Sequence, residues 1–229
     1  MRRPCAARRK PASTHGFLKV LYSVYSRGTV PLLKEKIKEK LKGIQFGVNY
    51  PFWDFNSKAN QPIELAKRGA RSTLSSLLGK NFDNRMVMFC HLGEESGRTS
   101  ETLATLLGDI NKLNVFVVVG TASGTQEWNF YNSVANQPHS HMAVFDIEAE
   151  NNLAVRQALA GSDILFAANP TEPSASMILK SLACGTIPLT GLDVGCANLL
   201  TNYVGDFANA NAMLVDDSAA PDQMIRKLK

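Results

Sequence analysis

Between Gly161 and Asn198 the chain reads GSDILFAANPTEPSASMILKSLACGTIPLTGLDVGCAN. The apolar run from Ile164 to Ala168 has the length and side-chain types of a buried strand. A polar loop with Thr171, Glu172 and Pro173 follows it. Met177, Ile178, Leu182 and Ala183 then fall on one face of a helix, Gly185 ends that helix, and Ile187–Leu189 reads as a second short strand. Strand, helix and strand in this order make a βαβ unit. Two strands joined by a crossover helix lie parallel in one sheet, with the connection right-handed. Ligands of such sheets gather outside the carboxyl ends of the strands, where Glu172 falls.

The same alternation runs through everything after Arg85. Strand-like runs are expected at Met86–His91, Val115–Gly120, Met142–Ile147, Asp163–Ala168, Ile187–Leu189 and Ala212–Val215. Helical patterns are expected over 99–112, 126–136, 151–160, 173–184, 195–202 and 219–228. This pattern predicts an α/β fold: one Rossmann-like open parallel sheet covered by helices on both faces. Upstream, a helix is expected from Ile63 to Leu78, stopped by Gly79, and 44–62 reads as irregular around Pro51 and Pro62. A short basic helix is expected over 30–42, with Leu33, Ile37 and Leu41 along one face. Residues 1–17 read as a basic, disordered tail, and the domain as 18–229 with its core over about 44–229.

Charge is unevenly spread. Residues 1–42 hold twelve Lys/Arg against Glu35 and Glu39, whereas the remainder holds thirteen against eighteen acidic residues. A basic arm suits nucleic acid or an anionic surface, but no recognition helix, RNP-like motif or aromatic ladder accompanies it, which argues against nucleic acid. The acid-free, Arg-rich first seventeen residues fit an organelle transit peptide (a plastid or another organelle) as well as an unstructured tail or a misplaced start. The longest apolar runs, such as Val115–Val119, are too short to span a bilayer. Cys5, Cys90, Cys184 and Cys196 show no CxxC spacing and read as small core or loop residues of a reducing, cytoplasm-like compartment. The scattered histidines argue against a metal site.

The stretch from 161 to 198 closely resembles the sugar-nucleotide half of bacterial glycogen synthases and plant starch synthases, which read roughly AGxDIxPSxEPCGLxQxxAxxxGTIPIVxxTGGLxD. The likeness begins upstream with LYSVYSRG and GIQFGVNYPFWDF, the latter similar to the family's GIxNGIDYxxWDP. It continues through KRGARSTLSSLLGK, VMFCHLGEESG and VFVVVGTASGTQEWNF, so that it spans essentially residues 18–229. The resemblance implies the C-terminal half of a GT-B glycosyltransferase, the half that holds ADP-glucose or UDP-glucose. It also implies that the acceptor domain, with its lysine-glycine-glycine loop, lies outside this stretch.

What the resemblance implies for individual residues is mixed. Glu172 and Pro173 match the family's Glu-Pro, whose carboxylate contacts the donor sugar. The family's next residues, Cys-Gly-Leu, are replaced by Ser174, Ala175 and Ser176, which still offer backbone N–H groups. The cationic pair of the family's VSRLxxQKG becomes His91 and Ser96. A departing phosphoryl group needs fixed positive charge, and neither residue gives the fork of a guanidinium. Arg98 lies two residues beyond. Gly120 and the GTASGT loop are candidate phosphate-cradling elements, and Thr186 of the retained Gly-Thr is a candidate contact. The family's Gly-Gly pair aligns with Val194 and Gly195, preceded by Asp193; a Cβ and a carboxylate there both oppose a pyrophosphate. The expected function is therefore a glycogen or starch synthase-like C-terminal domain with a degenerate donor site, lacking transfer activity on its own. No cofactor is expected beyond a nucleotide-sugar donor, and an α-glucan is the other candidate ligand. The alternative is an active glucosyltransferase completed by a separate N-terminal acceptor-domain subunit.

Overall fold

The computed structural model of the chain describes residues 48–54, 62–82, 84–93, 97–148, 151–168, 176–192, 194, 196–203, 209–216 and 220–229. The basic helix expected over 30–42 and the tail over 1–17 lie outside the described residues.

Six parallel strands form a single sheet. They are β1 (Met86–Leu92), β2 (Val115–Thr121), β3 (Met142–Asp146), β4 (Ile164–Ala167), β5 (Ile187–Gly191) and β6 (Met213–Val215), in the spatial order β3-β2-β1-β4-β5-β6. The helices are α1 (Tyr50–Trp53), α2 (Ile63–Leu78), α3 (Gly97–Ile110), α4 (Gln126–Ala135), α5 (Asn151–Gly161), α6 (Ser176–Ala183) and α7 (Pro221–Leu228). The open α/β fold expected from the sequence is therefore the fold observed. No helix among the described residues is long and apolar enough to cross a membrane.

The strands are apolar without interruption because both faces are covered. On one face Val87, Phe89, Val118 and Leu165 pack with Leu74 of α2, Leu159 of α5 and Ile178 of α6. On the other, Met88, Cys90, Val119 and Phe166 meet Leu103 and Leu106 of α3, Tyr131 of α4 and Met224 of α7. Cys90, Cys184 and Cys196 are all buried free thiols, in keeping with their reading as core residues. Tyr131 is fully buried, and its hydroxyl donates to the Ser100 carbonyl at 2.8 Å, which satisfies the one polar atom the ring carries inward.

Two boundaries follow directly from sequence punctuation. Pro62 precedes α2, and Gly79 closes it at φ 60°, a left-handed position that lets Lys80 N–H return to Ser75 O at 3.1 Å. Along α2, Lys67 and Arg71 fasten the helix to the starts of the strands. Lys67 Nζ donates to Ser162 O at 2.5 Å and to Thr186 Oγ1 at 2.9 Å, and Arg71 pairs with Asp163, which also accepts Val87 N–H at 2.8 Å. Burial pulls the Lys67 pKa down to about 8, with Asp163 opposing that shift.

Two sequence expectations need correction. The segment 195–202 is not an α-helix; only Ala197–Leu199 turns, as a 3-10 helix. Beyond it the chain is drawn out along β6. Asn202 bridges Ala212, Tyr203 N–H donates to Ala212 O at 3.1 Å, and the Asn211 side chain accepts Thr201 N–H at 2.7 Å while donating to Leu199 O at 2.9 Å. These edge hydrogen bonds compete with helix formation and prevail. The region expected to be irregular contains the single turn α1. Its Trp53 is buried, and its carbonyl accepts the Cys184 thiol at 3.2 Å.

Candidate functional site

The strand order reverses between β1 and β4: β2 and β3 continue outward from one, β5 and β6 from the other. At such a switch point the loops leaving the two strands part, and a crevice opens at their carboxyl ends. On the β1 side this places His91, with Gly93 following it. On the β4 side it places Ala167, and the chain is described again from Ser176, the first residue of α6. Cys90 registers with Phe166 across the two strands, so His91 and Ala167 stand side by side at the mouth.

His91 is the best-defined group there. Its ring meets Phe89 edge-on, with centroids 6.3 Å apart, and Phe89 stacks on Phe145 at 5.9 Å. Gly93 is close enough that a Cβ on it would lie 3.1 Å from the imidazole Cε1. Burial, and after it the positive charge of Lys180, pulls the His91 pKa down to about 4. The imidazole is therefore neutral at pH 7. It can exchange a hydrogen bond with a ligand but cannot balance an anion.

Gly120 of β2 registers with His91 of β1 on one side and with Phe145 of β3 on the other. Its missing side chain has a packing cause. A Cβ there would meet Ile147 Cγ2 at 2.8 Å and Phe145 Cζ at 2.9 Å. The GTASGT loop after it closes on itself: the Thr125 hydroxyl donates to Ala122 O at 2.8 Å and accepts Trp128 N–H at 3.1 Å, capping α4. Val194 is 3% exposed and belongs to the core beside Cys196 and Leu200, so its side chain faces inward. Thr186 lies just before β5, at the opposite edge of the sheet from His91. Its hydroxyl donates to the Leu159 carbonyl and receives Lys67. That placement removes Thr186 from the crevice and explains the residue as a tie between α5, β5 and α2. Arg98 is the second residue of α3. Ser96, Glu172, Pro173, Ser174, Ala175 and Gly195 lie outside the described residues.

Lys180, Arg156 and the aromatic pair on α1 stand outside the sequence expectations. Lys180 Nζ stands 4.8 Å from the Trp53 ring centroid, and the Arg156 guanidinium lies 5.5 Å from that of Phe52. Phe52 and Trp53 meet edge-on at 5.0 Å. Thus α1 lies over cations supplied by α5 and α6. The available signal was a lone lysine inside the otherwise apolar helix SMILKSLA. A separate cleft of about 530 Å³ lies at the free edge of β6, lined by residues that include Asn202, Tyr203, Gln223 and Lys227. It is two strands away from β4 and is not part of the switch-point crevice.

No family model matches the chain. The glycogen synthase of Glaesserella parasuis serovar 5 is 28% identical over 182 residues, covering 75% of this chain and 37% of that protein. Among solved structures, the catalytic domain of starch synthase IV from Arabidopsis thaliana, bound to ADP and acarbose, superposes with a TM-score of 0.68 at 14% identity. That match covers 96% of this chain and 46% of the other. The HepE protein of Anabaena in complex with UDP-glucose gives 0.54 at 14% identity, covering 94% and 57%. The chain thus spans less than half the length of the glycogen synthase and of the starch synthase that it matches. The chain is thus similar in sequence to a glycogen synthase and shares the Rossmann-like fold found in GT-B glycosyltransferases such as that starch synthase.

Proposed function

We propose that this chain is a glycogen or starch synthase-like donor domain that keeps a crevice for a nucleotide or nucleotide sugar but does not transfer glucose on its own. The observation that carries the reading is His91. At the carboxyl end of the switch-point strand, where a departing nucleoside diphosphate needs fixed positive charge, the side chain is a half-buried imidazole with a pKa of about 4. Neutralising such an anion with one neutral donor instead of a guanidinium and an ammonium forfeits several kcal/mol in the transition state, and each 1.36 kcal/mol is a tenfold loss of rate. The ligand class is supported by the ADP and UDP-glucose bound in the structural relatives. Within the crevice Glu172 would accept hydrogen bonds from the sugar hydroxyls, and the backbone around Ser174, Ala175 and Ser176 would face the phosphates.

Pure protein incubated with labelled ADP-glucose or UDP-glucose and glycogen is expected to leave no label in the glucan. Robust incorporation, abolished by Glu172→Ala, would overturn the reading. A second reading rests on the likeness to a glycogen synthase: the chain is the donor half of an α-1,4-glucan glucosyltransferase and works with an acceptor domain. Incorporation that appears only when a synthase acceptor domain is added in trans would select it.

A further inference from the structure

We propose that α1 is a latch: it lifts from α5 and α6 as a unit while the sheet stays folded, and its lifting uncovers the Cys184 thiol. The inference does not depend on the donor-domain reading.

Nothing within α1 makes it stable by itself. It is a single turn, far shorter than a helix that holds alone in water, and Asn49 before it gives no side-chain cap. Its hold on the domain is tertiary and centres on one anchor. Trp53 is buried in the core, with Lys180 Nζ 4.8 Å from its ring centroid. Phe52 lies edge-on to Trp53 and is 36% exposed, with the Arg156 guanidinium 5.5 Å from its centroid. Tyr50 faces solvent. The backbone is tied by the Cys184 thiol, which donates to the Trp53 carbonyl at 3.2 Å. A thiol is a weak donor, and cation–ring contacts are individually modest, so these ties give way before a sheet does. Cys90 is held differently. It lies inside β1, in register with Val119 of β2 and Phe166 of β4, and solvent reaches it only when the sheet breaks. Segments held by few buried contacts open at lower free energy than the core that carries them. Burial raises both thiols, Cys184 to about 11 and Cys90 further still. Neither therefore offers a thiolate while it is covered, and labelling of each reports its own opening.

The test is the rate at which N-ethylmaleimide labels each thiol of the whole chain, followed peptide by peptide by mass spectrometry over a series of low urea concentrations. Cys184 is expected to label about tenfold or more faster than Cys90, and with a shallower dependence on urea, because less surface is exposed when α1 alone lifts. Phe52→Ala removes one cation–ring contact and one edge-on aromatic contact from a side chain already partly in solvent. It is expected to speed Cys184 labelling about three- to tenfold and to leave Cys90 unchanged. Trp53→Ala is expected to speed Cys184 by more; should thermal melts show that it does not fold, Phe52→Ala decides the question. Labelling of Cys184 and Cys90 at one rate with one urea dependence would overturn the proposal, since α1 would then leave only when the whole domain unfolds. Equal acceleration of both thiols in Phe52→Ala would overturn it for the same reason. A fast Cys184 that Phe52→Ala leaves unchanged would also overturn it, because some other segment would be what uncovers the thiol.

Discussion

The double substitution His91→Arg with Ser96→Lys is expected to tighten ADP-glucose binding by ~10²- to 10⁴-fold. Each restored cation that hydrogen-bonds a phosphate contributes about 1.5–3 kcal/mol, and 1.4 kcal/mol is a tenfold change in affinity. His91 sits at the last-but-one position of β1, between the edge of Phe89 and the open carboxyl end of the sheet. An arginine there can lay its methylene stem along Phe89 and carry its guanidinium out to the crevice. Replacing a neutral imidazole by a fork of donors is where most of the gain arises. Calorimetry with ADP-glucose and with glucose alone checks the result, and circular dichroism checks the fold. Unchanged ADP-glucose affinity in a folded double variant would mean that the crevice is no longer a nucleotide site and that the likeness to glycogen synthases describes ancestry alone.

Gly120→Ala is expected to destabilise the protein by about 1–3 kcal/mol, the usual cost of forcing an extra methyl into a packed core. The added Cβ would press on Ile147 and on the tip of Phe145, and Phe145 cannot swing freely because it stacks on Phe89. For a domain of this size each kcal/mol lowers the melting temperature by roughly 2–4 °C. Adding Phe145→Leu should recover part of the loss, since the two side chains compete for one volume. ADP affinity in the folded Gly120→Ala protein should stay within about twofold of wild type. An unaltered melting point with markedly weaker ADP binding would instead make Gly120 a ligand contact.

These two residues mark the boundary of what the sequence makes legible. The sheet was readable because each strand is an uninterrupted apolar run, such as VFVVVG, and because Pro62 and Gly79 punctuate α2. The expected strand starts at Met86, Val115, Met142 and Ile187 coincide with those observed, and β4 begins at Ile164 and β6 at Met213, each one residue later than expected. Where competing hydrogen bonds decide, as at Asn202 and Asn211, local pattern pointed to a helix that tertiary pairing along β6 overrides. The site was legible only in outline. The switch point follows from topology, but the charge state of His91 depends on burial that no residue spacing reveals. Gly120 and Val194 resemble loop residues in one dimension, and only packing shows that the first makes room for Phe145 and the second fills the core. Lys180 went unnoticed because its neighbour Trp53 is more than a hundred residues away in sequence.

The central claim, that the group at the end of β1 carries no positive charge when the crevice would need it, is open to one direct measurement. An NMR titration of the His91 ring carbons in the intact chain should give a midpoint near pH 4. The linkage to stability has a definite direction. Because the folded pKa lies below the unfolded value of 6.5, the unfolded chain binds a proton that the folded one refuses between about pH 6.5 and 4. His91 thus contributes stability that is present above pH 6.5 and lost as the pH falls through that window, of the order of 3 kcal/mol for a shift of this size. A midpoint near 4, moving upward in Lys180→Met, is the predicted result. A midpoint at or above 6.5 would place an imidazolium at the mouth of the crevice and contradict the account.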